Sequence, residues 1–201
     1  MPKQKFLQSG GFTLIEMMAS MAIGMIVIAS VAGTFRAQTR QNKAEEEISQ
    51  MHQNVRAALD LISRDLMQAG YKKSGGSLSV TGVTYSTSQL LIQADVDESN
   101  AIDTGTSSLE YITYAYDSAN QRITRKLGAS GTAEIVADNV TQFDFAYKAA
   151  DGTATTSSTA IRKLTITITC QTQNADPAYT SNGGKRTYQL SADITPPNLA
   201  L

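Results

Sequence analysis

The sequence predicts an α+β protein in which one long N-terminal α-helix, apolar in its first half, packs by its second half on an antiparallel β-sheet domain. Residues 12–35 are nearly all apolar, as in a helix that is not surrounded by water. Residues 36–69 contain no glycine or proline, and their apolar side chains recur at three- and four-residue spacing. After residue 71, short runs of alternating apolar and polar residues predict strands.

The first eleven residues, MPKQKFLQSGG, are typical of a targeting segment rather than of a folded element. An ordinary secretory signal places its small-residue cleavage site after the apolar core. Here the small residues Ser9, Gly10 and Gly11 come before the apolar run. Cleavage at this point would therefore leave the apolar helix on the mature protein as an anchor.

A helix over residues 12–35 is long enough to cross a hydrocarbon core of roughly 30 Å, at about 1.5 Å of rise per residue. Two pairs of small residues, Ser20/Gly24 and Ala29/Gly33, predict close packing against other helices. General tolerance of small residues in membrane helices is the alternative. Basic residues lie on both sides of the segment, so charge alone leaves its orientation open.

Glu16 is the one charged residue within this apolar segment. A carboxylate inside a membrane helix costs on the order of 3 kcal/mol or more, so it requires a reason. Glu16 follows Phe12 by four residues, which is one helical turn. A cut between Gly11 and Phe12 would create an α-amine that could neutralise Glu16 within one chain or between neighbours. The alternative is an interfacial carboxylate close enough to the helix end to reach water.

The hexapeptide GFTLIE at residues 11–16, between a short Lys-containing leader and the apolar run, resembles the class III signal of type IV prepilins and type II secretion pseudopilins. The resemblance implies cleavage between Gly11 and Phe12 by a prepilin peptidase and N-methylation of Phe12. It also implies that the helices pack in a filament core, with Glu16 facing the N-terminus of a neighbouring subunit. The implied partners are other major and minor pilins or pseudopilins.

The same resemblance implies a location. Before assembly the chain would cross the inner membrane once, with its leader in the cytoplasm and its C-terminal domain in the periplasm. After assembly it would belong to a pilus or a pseudopilus. The implied domains are a cleaved leader (1–11), a transmembrane and filament-core helix (12–35), an amphipathic continuation (36–70) and a β-rich head (71–201).

The amphipathic continuation presents one apolar stripe, and we expect this stripe to cover a β-sheet built from the rest of the chain. A coiled-coil seam is the alternative. Gly70 is expected to end the helix. His52 is flanked by polar residues, which favours a solvated side chain over a ligand. The stripe consists of Ile48, Met51, Val55, Leu59, Ile62 and Leu66.

The head is predicted to consist of antiparallel strands that are wet on one face. Residues 108–116 and 122–127, joined by the turn sequence DSAN, predict a hairpin. Cys170 falls on the apolar face of its strand, so we expect a buried structural thiol. As the single cysteine, it excludes an internal disulfide. The other alternating runs are Leu90–Val96, Thr141–Tyr147, Lys163–Cys170 and Tyr188–Ile194.

Three downstream segments resemble one type of pilin more than others. MHQNVRAALDLISRDLMQAGY, VTQFDFAY and RKLTITIT resemble PilW-type minor pilins, which are related to the J-class pseudopilins of type II secretion. The implied function is a minor pilin that helps to start and assemble a type IV pilus through its N-terminal helix. The alternatives are a pseudopilin of a secretion piston and a tip subunit whose head binds a surface, DNA or an exported substrate.

One loop is rich in oxygen ligands. Asp95, Asp97, Asn100 and Asp103 follow a predicted strand, and calcium prefers six to eight oxygen ligands. The loop lacks the tight-turn glycine and the terminal glutamate of the helix–loop–helix calcium motif. A weak calcium site and a plain solvated loop therefore both remain open.

Composition excludes other classes of function. The chain has 201 residues, a formal net charge of −1, one histidine and one cysteine. It shows no glycine-rich phosphate loop and no Cys/His cluster with metal spacing, so we expect no enzyme. Nucleic acid is not expected as an obligatory partner, because phosphate binding requires concentrated lysine and arginine.

Overall fold

The computed structural model describes residues 11–199. The chain divides into two compact units, an N-terminal unit (residues 1–45) and a head unit (residues 46–201). One helix, α1 (Leu14–Gln68), contributes residues to both units. Of the predicted leader, residues 1–10 lie outside the described residues.

In the N-terminal unit, α1 is helical throughout, and three of its hydroxyl groups are satisfied by its own backbone. Ser30, Thr34 and Thr39 each donate to the carbonyl four residues earlier, at 2.9 Å. This local bonding removes the need for water at these side chains. Glu16 is the one charged residue of this helix before Arg36.

The helix ends where a glycine is required. Gly70 has a φ of +78°, and its N–H donates to the carbonyl of Gln93 at 2.9 Å. A Cβ atom added at Gly70 would lie 2.8 Å from a methyl group of Leu199. Both the left-handed backbone and this close approach exclude larger residues. The prediction that Gly70 ends the helix is confirmed.

Within the described residues, the head unit contains eight strands in two antiparallel sheets. Every pairing joins strands that are consecutive in the chain, so each sheet is a meander. The order is β1-β2-β3-β4-β5 in the first sheet and β6-β7-β8 in the second. The strands are β1 (Val83–Thr84), β2 (Gln89–Gln93), β3 (Tyr111–Asp117), β4 (Arg122–Leu127), β5 (Ala133–Ala137), β6 (Val140–Lys148), β7 (Lys163–Gln171) and β8 (Thr187–Ile194).

The sequence predicted one sheet, and the structure has two. The predicted hairpin is confirmed, because β3 and β4 pair in antiparallel register from Ile112↔Leu127 to Asp117↔Arg122. Strand β5 was missed because its first three residues, Ala133 to Ile135, are exposed and give no alternating pattern. The sheets separate after β5, since β6 pairs with β7 from Val140 onward.

The first predicted alternating run also extends less far than expected. Strand β2 ends at Gln93, and Val96 is exposed. The chain leaves the sheet here because the Gln93 carbonyl accepts from Gly70 and the Asp95 N–H donates to the Tyr71 carbonyl at 2.8 Å. The end of α1 therefore determines where β2 stops.

The apolar stripe of α1 is buried against both sheets, as predicted, and not in a coiled-coil seam. Met51, Val55, Leu59, Ile62 and Leu66 belong to one core with side chains from both sheets. Full burial of one such side chain contributes roughly 1.5–3 kcal/mol, so the stripe stabilises the packing of α1 on the two sheets. The sheets contribute Leu90, Ile92, Ile112, Tyr114, Ile123, Leu164, Ile166, Ile168 and Cys170, among others.

The prediction that His52 is simply solvated is wrong. Its ring is partly buried and lies 4.1 Å, centroid to centroid, from the ring of Tyr188 on β8. The polar neighbours of His52 in the chain gave no information about the side chain that the second sheet places beside it.

A buried polar network joins α1 to the first sheet. Arg125 donates from Nε to Asp65 Oδ2 at 2.8 Å and from its terminal nitrogen to Oδ1 at 3.3 Å. Tyr114 also donates its hydroxyl to Asp65. The side chains of Asp65 and Arg125 are only 9% and 15% exposed. Burial and the neighbouring carboxylate raise the pKa of Tyr114, so its hydroxyl stays protonated as a donor.

We expect Asp65→Ala to lower the free energy of unfolding by about 3–5 kcal/mol, because it leaves Arg125 buried without its partner. The matched control is Asp60→Ala on the same helix. Asp60 pairs with Arg64, and both side chains are mostly exposed, so its loss should cost less than about 1 kcal/mol. Denaturant unfolding of the full chain in detergent, followed by circular dichroism, measures both values. Equal small losses would show that the buried network does not stabilise the head.

Candidate functional site

The N-terminus of α1 is closed by a reciprocal pair of hydrogen bonds between Thr13 and Glu16. The backbone N–H and the hydroxyl of Thr13 both donate to Glu16 Oε2 at 2.9 Å. The Glu16 N–H in turn faces Thr13 Oγ1 at 3.4 Å. Thr13 precedes the first helical residue and Glu16 is the third, so this is a capping box. The sequence analysis missed this role, although the T-x-x-E spacing is its signal.

The capping box fixes where the Glu16 carboxylate lies. Oε2 is held over the first turn of the helix, one peptide unit from Phe12. No hydrogen bond to Oε1 occurs within residues 11–199. The cap therefore uses one carboxylate oxygen, and the other has no hydrogen-bond partner among the described residues.

The apolar side chains that follow this cap have no cover within the chain. The exposed fractions of the large ones run from 54% at Met17 to 78% at Leu14. Within the described residues, α1 is the one helix that is long and apolar enough to cross a membrane. Such a surface requires lipid or other apolar helices around it.

Gly24 and Gly33 add a second feature to this surface. A Cβ atom built at either glycine would meet nothing within 4 Å. Both positions are therefore shallow points on an exposed apolar helix, at which the backbone of another helix can approach closely. Together with the cap, they make residues 11–35 the candidate site of assembly.

Comparison with known protein families decides the identity of the chain. Residues 7–32 match the prokaryotic N-terminal methylation motif. Residues 45–194, about three quarters of the chain, match the family described as prepilin peptidase-dependent protein B. The chain belongs to the prepilin peptidase-dependent protein B family. It is a member of the type IV pilin superfamily, as its GFTLIE motif predicted.

This pilin-like protein was also compared with curated proteins and with solved structures. No curated protein matches it. Among solved structures, it is similar to a type IV-like pilin from Thermus thermophilus, with a TM-score of 0.47 and 14% sequence identity. The likeness covers 74% of this chain and 97% of that one. The predicted α+β fold is confirmed by the long helix and the antiparallel sheets described above. The finer assignment to the PilW type stays a prediction.

The oxygen-rich loop of the head brings some of its predicted ligands together and separates others. Asp95 and Asp97 lie near each other and near Glu110, which the sequence analysis did not include. The Asn100 side chain instead accepts from Leu78 N–H at 3.1 Å. Asp103 accepts from Gly105 N–H at 2.8 Å.

Glu110 was missed because it stands outside the loop sequence, immediately before β3. Its two carboxylate oxygens accept from Asp97 N–H at 3.0 Å and from Asp103 N–H at 2.7 Å. The residue is 5% exposed. A glutamate at the start of a strand does not by itself signal burial, so sequence alone offered little to find it.

Cys170 on β7 is fully buried, as predicted. Burial raises the pKa of its thiol to about 12, because the apolar surroundings disfavour the thiolate. The reactive form is therefore almost absent from the folded protein at neutral pH, which argues against a catalytic or redox role for this residue.

We expect Cys170 to resist maleimide in the folded chain at near-neutral pH and to react fully once denaturant is added. The rate should differ by more than about a hundredfold, since both the pKa shift and burial act against the thiolate. Mass spectrometry of timed samples measures the labelled fraction. Complete labelling of the folded chain within minutes would contradict the burial of this thiol.

Proposed function

We propose that this protein is a minor type IV pilin of the PilW type, which takes part in starting and assembling the filament through its N-terminal helix. The role is structural and not catalytic. The observation that carries the proposal is the capped carboxylate of Glu16 at the start of an exposed apolar helix. One of its oxygens has no hydrogen-bond partner within residues 11–199. Membership of a pilin-like family supports it.

The proposal assigns a stage to each segment of the chain. Prepilin peptidase removes residues 1–11, and Phe12 becomes the methylated N-terminus. Residues 12–35 hold the subunit in the inner membrane and later lie in the filament core. Residues 36–70 continue the helix, and residues 71–201 form a head in the periplasm before assembly. Supporting this order, the methylation-motif match begins ahead of the cleavage point and ends within the apolar segment.

Docking is proposed to rest on charge neutralisation in an apolar medium. A lone carboxylate or a lone α-amine is costly there, whereas the pair of charges stabilises itself strongly because the surroundings do not screen it. In the free subunit, Glu16 Oε2 already accepts two hydrogen bonds from Thr13. An incoming N-terminal amine then completes the site at Oε1 without breaking the cap. The partners at this step are other pilins of the same filament.

The processing step has a direct test. In cells with an active prepilin peptidase, the mature chain should begin at Phe12 and carry one added methyl group on its α-amine. Intact mass spectrometry of the protein from membranes and from sheared filaments measures both changes. A strain without the peptidase provides the control, in which the chain keeps Met1–Gly11. An uncut or unmethylated chain in the active strain would contradict the assignment of Gly11 and Phe12.

The docking step requires variants that separate the charge of Glu16 from its capping role. Glu16→Gln keeps an oxygen for the Thr13 N–H and removes the charge, whereas Thr13→Val keeps the charge and removes the hydroxyl of the cap. We expect Glu16→Gln and Glu16→Ala to reduce incorporation into filaments by more than about tenfold, since each leaves an amine unneutralised in an apolar medium. Thr13→Val should assemble almost normally.

Immunoblots of sheared filaments, normalised to the membrane level of each variant, measure this series. If Glu16→Gln assembles as well as the natural chain, the cap alone explains Glu16 and the charge pairing is wrong. Each variant is expressed in a strain from which the natural gene is deleted, and without a complementing gene we expect that strain to lose its filaments. Normal filaments in the deletion strain without a complementing gene would contradict a role in starting assembly.

A further inference from the structure

Three carboxylates converge in the head unit, away from the apolar helix. Asp95 and Asp97 follow β2, and Glu110 precedes β3, so the two strand ends bring them together. One oxygen from each residue lies within 4.8 Å of the others. Such a grouping of like charges is unfavourable unless something positive compensates it.

Because two of the three carboxylates are buried, their negative charge requires a compensating positive charge. Asp95 is fully buried, and Glu110 is 5% exposed. Within residues 11–199, no lysine or arginine forms an ion pair with any of the three carboxylates. Carboxylates withdrawn from water without a paired cation cost several kcal/mol each.

The buried Asp95 carboxylate is itself only half satisfied. Its Oδ2 accepts from the Asn100 N–H at 3.1 Å. Its Oδ1 is buried and has no hydrogen-bond partner within the described residues. An unpartnered carboxylate oxygen inside a cluster of three acids is an independent sign that a cation belongs there.

We propose that Asp95, Asp97 and Glu110 bind one calcium ion. Calcium takes oxygen ligands at about 2.3–2.6 Å, so two ligands on opposite sides of the ion stand up to roughly 5 Å apart. Oxygens that all lie within 4.8 Å of one another fit around such an ion. Asp97 is exposed, which leaves one side of the site open to water ligands.

The chemistry of the donors favours calcium over other common ions. Zinc prefers nitrogen and sulfur ligands, and neither His52 nor Cys170 belongs to the cluster. Magnesium demands near-ideal octahedral geometry and keeps several waters, so it gains less from three carboxylates. Calcium accommodates irregular geometry and a mixture of carboxylate and water oxygens.

Existing hydrogen bonds orient Glu110 without blocking it. Each of its oxygens accepts one backbone N–H, from Asp97 and from Asp103. A carboxylate oxygen has a second lone pair that can bind a metal. The ion would therefore connect both strand ends to a loop that Glu110 already holds, and binding would stabilise the head unit. This site does not rest on the proposed role in assembly.

The test uses the full chain in detergent, freed of divalent ions with a chelator, and calcium chloride as the only added ligand. We expect one ion bound per chain by isothermal titration calorimetry. The midpoint of thermal unfolding should rise by about 5–10 °C at a calcium concentration a hundred times Kd. Magnesium chloride at equal concentration should give a clearly smaller rise. No binding at millimolar calcium, or tighter binding of magnesium, would overturn the proposal.

Variants identify the ligands. Asp97→Asn should weaken calcium binding by about tenfold or more, because it removes one of three carboxylate charges from an exposed position that the fold tolerates. Glu110→Gln should do the same. Asp103→Asn is the matched control: Asp103 is exposed, its side chain bonds Gly105, and its backbone bond to Glu110 is retained. It should bind calcium normally.

Circular dichroism in chelator verifies that each variant is folded. If Asp103→Asn weakens binding as much as Asp97→Asn, the ligand set is wrong. If Glu110→Gln does not fold, Asp97→Asn decides the question alone, and normal calcium binding by that folded variant would overturn the proposal.

Discussion

A carboxylate that leaves water requires a cation or several hydrogen-bond donors, and this requirement explains much of the polar structure of the chain. Asp65 satisfies it completely. Its two oxygens receive Arg125, and Tyr114 adds a hydroxyl that burial keeps protonated. The helix and the first sheet thus share a charge pair that neither could bury alone. Apolar packing and the neutralisation of Asp65 therefore both stabilise the contact between α1 and the first sheet.

Two other carboxylates satisfy the requirement only in part, and these are the places where a partner is proposed. Glu16 has one oxygen bound by the cap of its own helix, and Asp95 has one oxygen bound by the loop backbone. In each case the second oxygen lacks a hydrogen-bond partner within the described residues. The ligand differs because the surroundings differ. An apolar helix surface favours the terminus of another subunit, whereas a cluster of three acids favours a small divalent ion.

The patterns that sequence could predict are those carried by neighbours in the chain. The stripe from Met51 to Leu66, the β3–β4 hairpin and the inward face of Cys170 follow from periodicity, since burial on one face leaves a regular trace. The motif at residues 11–16 predicted the type IV pilin superfamily. Glu110, Arg125 and the Tyr188 ring beside His52 were not foreseen. Each acts through a contact across strands or across the helix–sheet interface, which leaves no local pattern.

Because the head has no disulfide, the apolar stripe of α1 also helps to hold the two sheets together. With one cysteine, which is fully buried, the head has no internal disulfide between its sheets. The sheets instead meet through the core that α1 completes, together with the Asp65 network. A calcium ion at Asp95 would add to this stabilisation, because it would join the ends of β2 and β3. Such an ion would stabilise the loop between these strands without a disulfide.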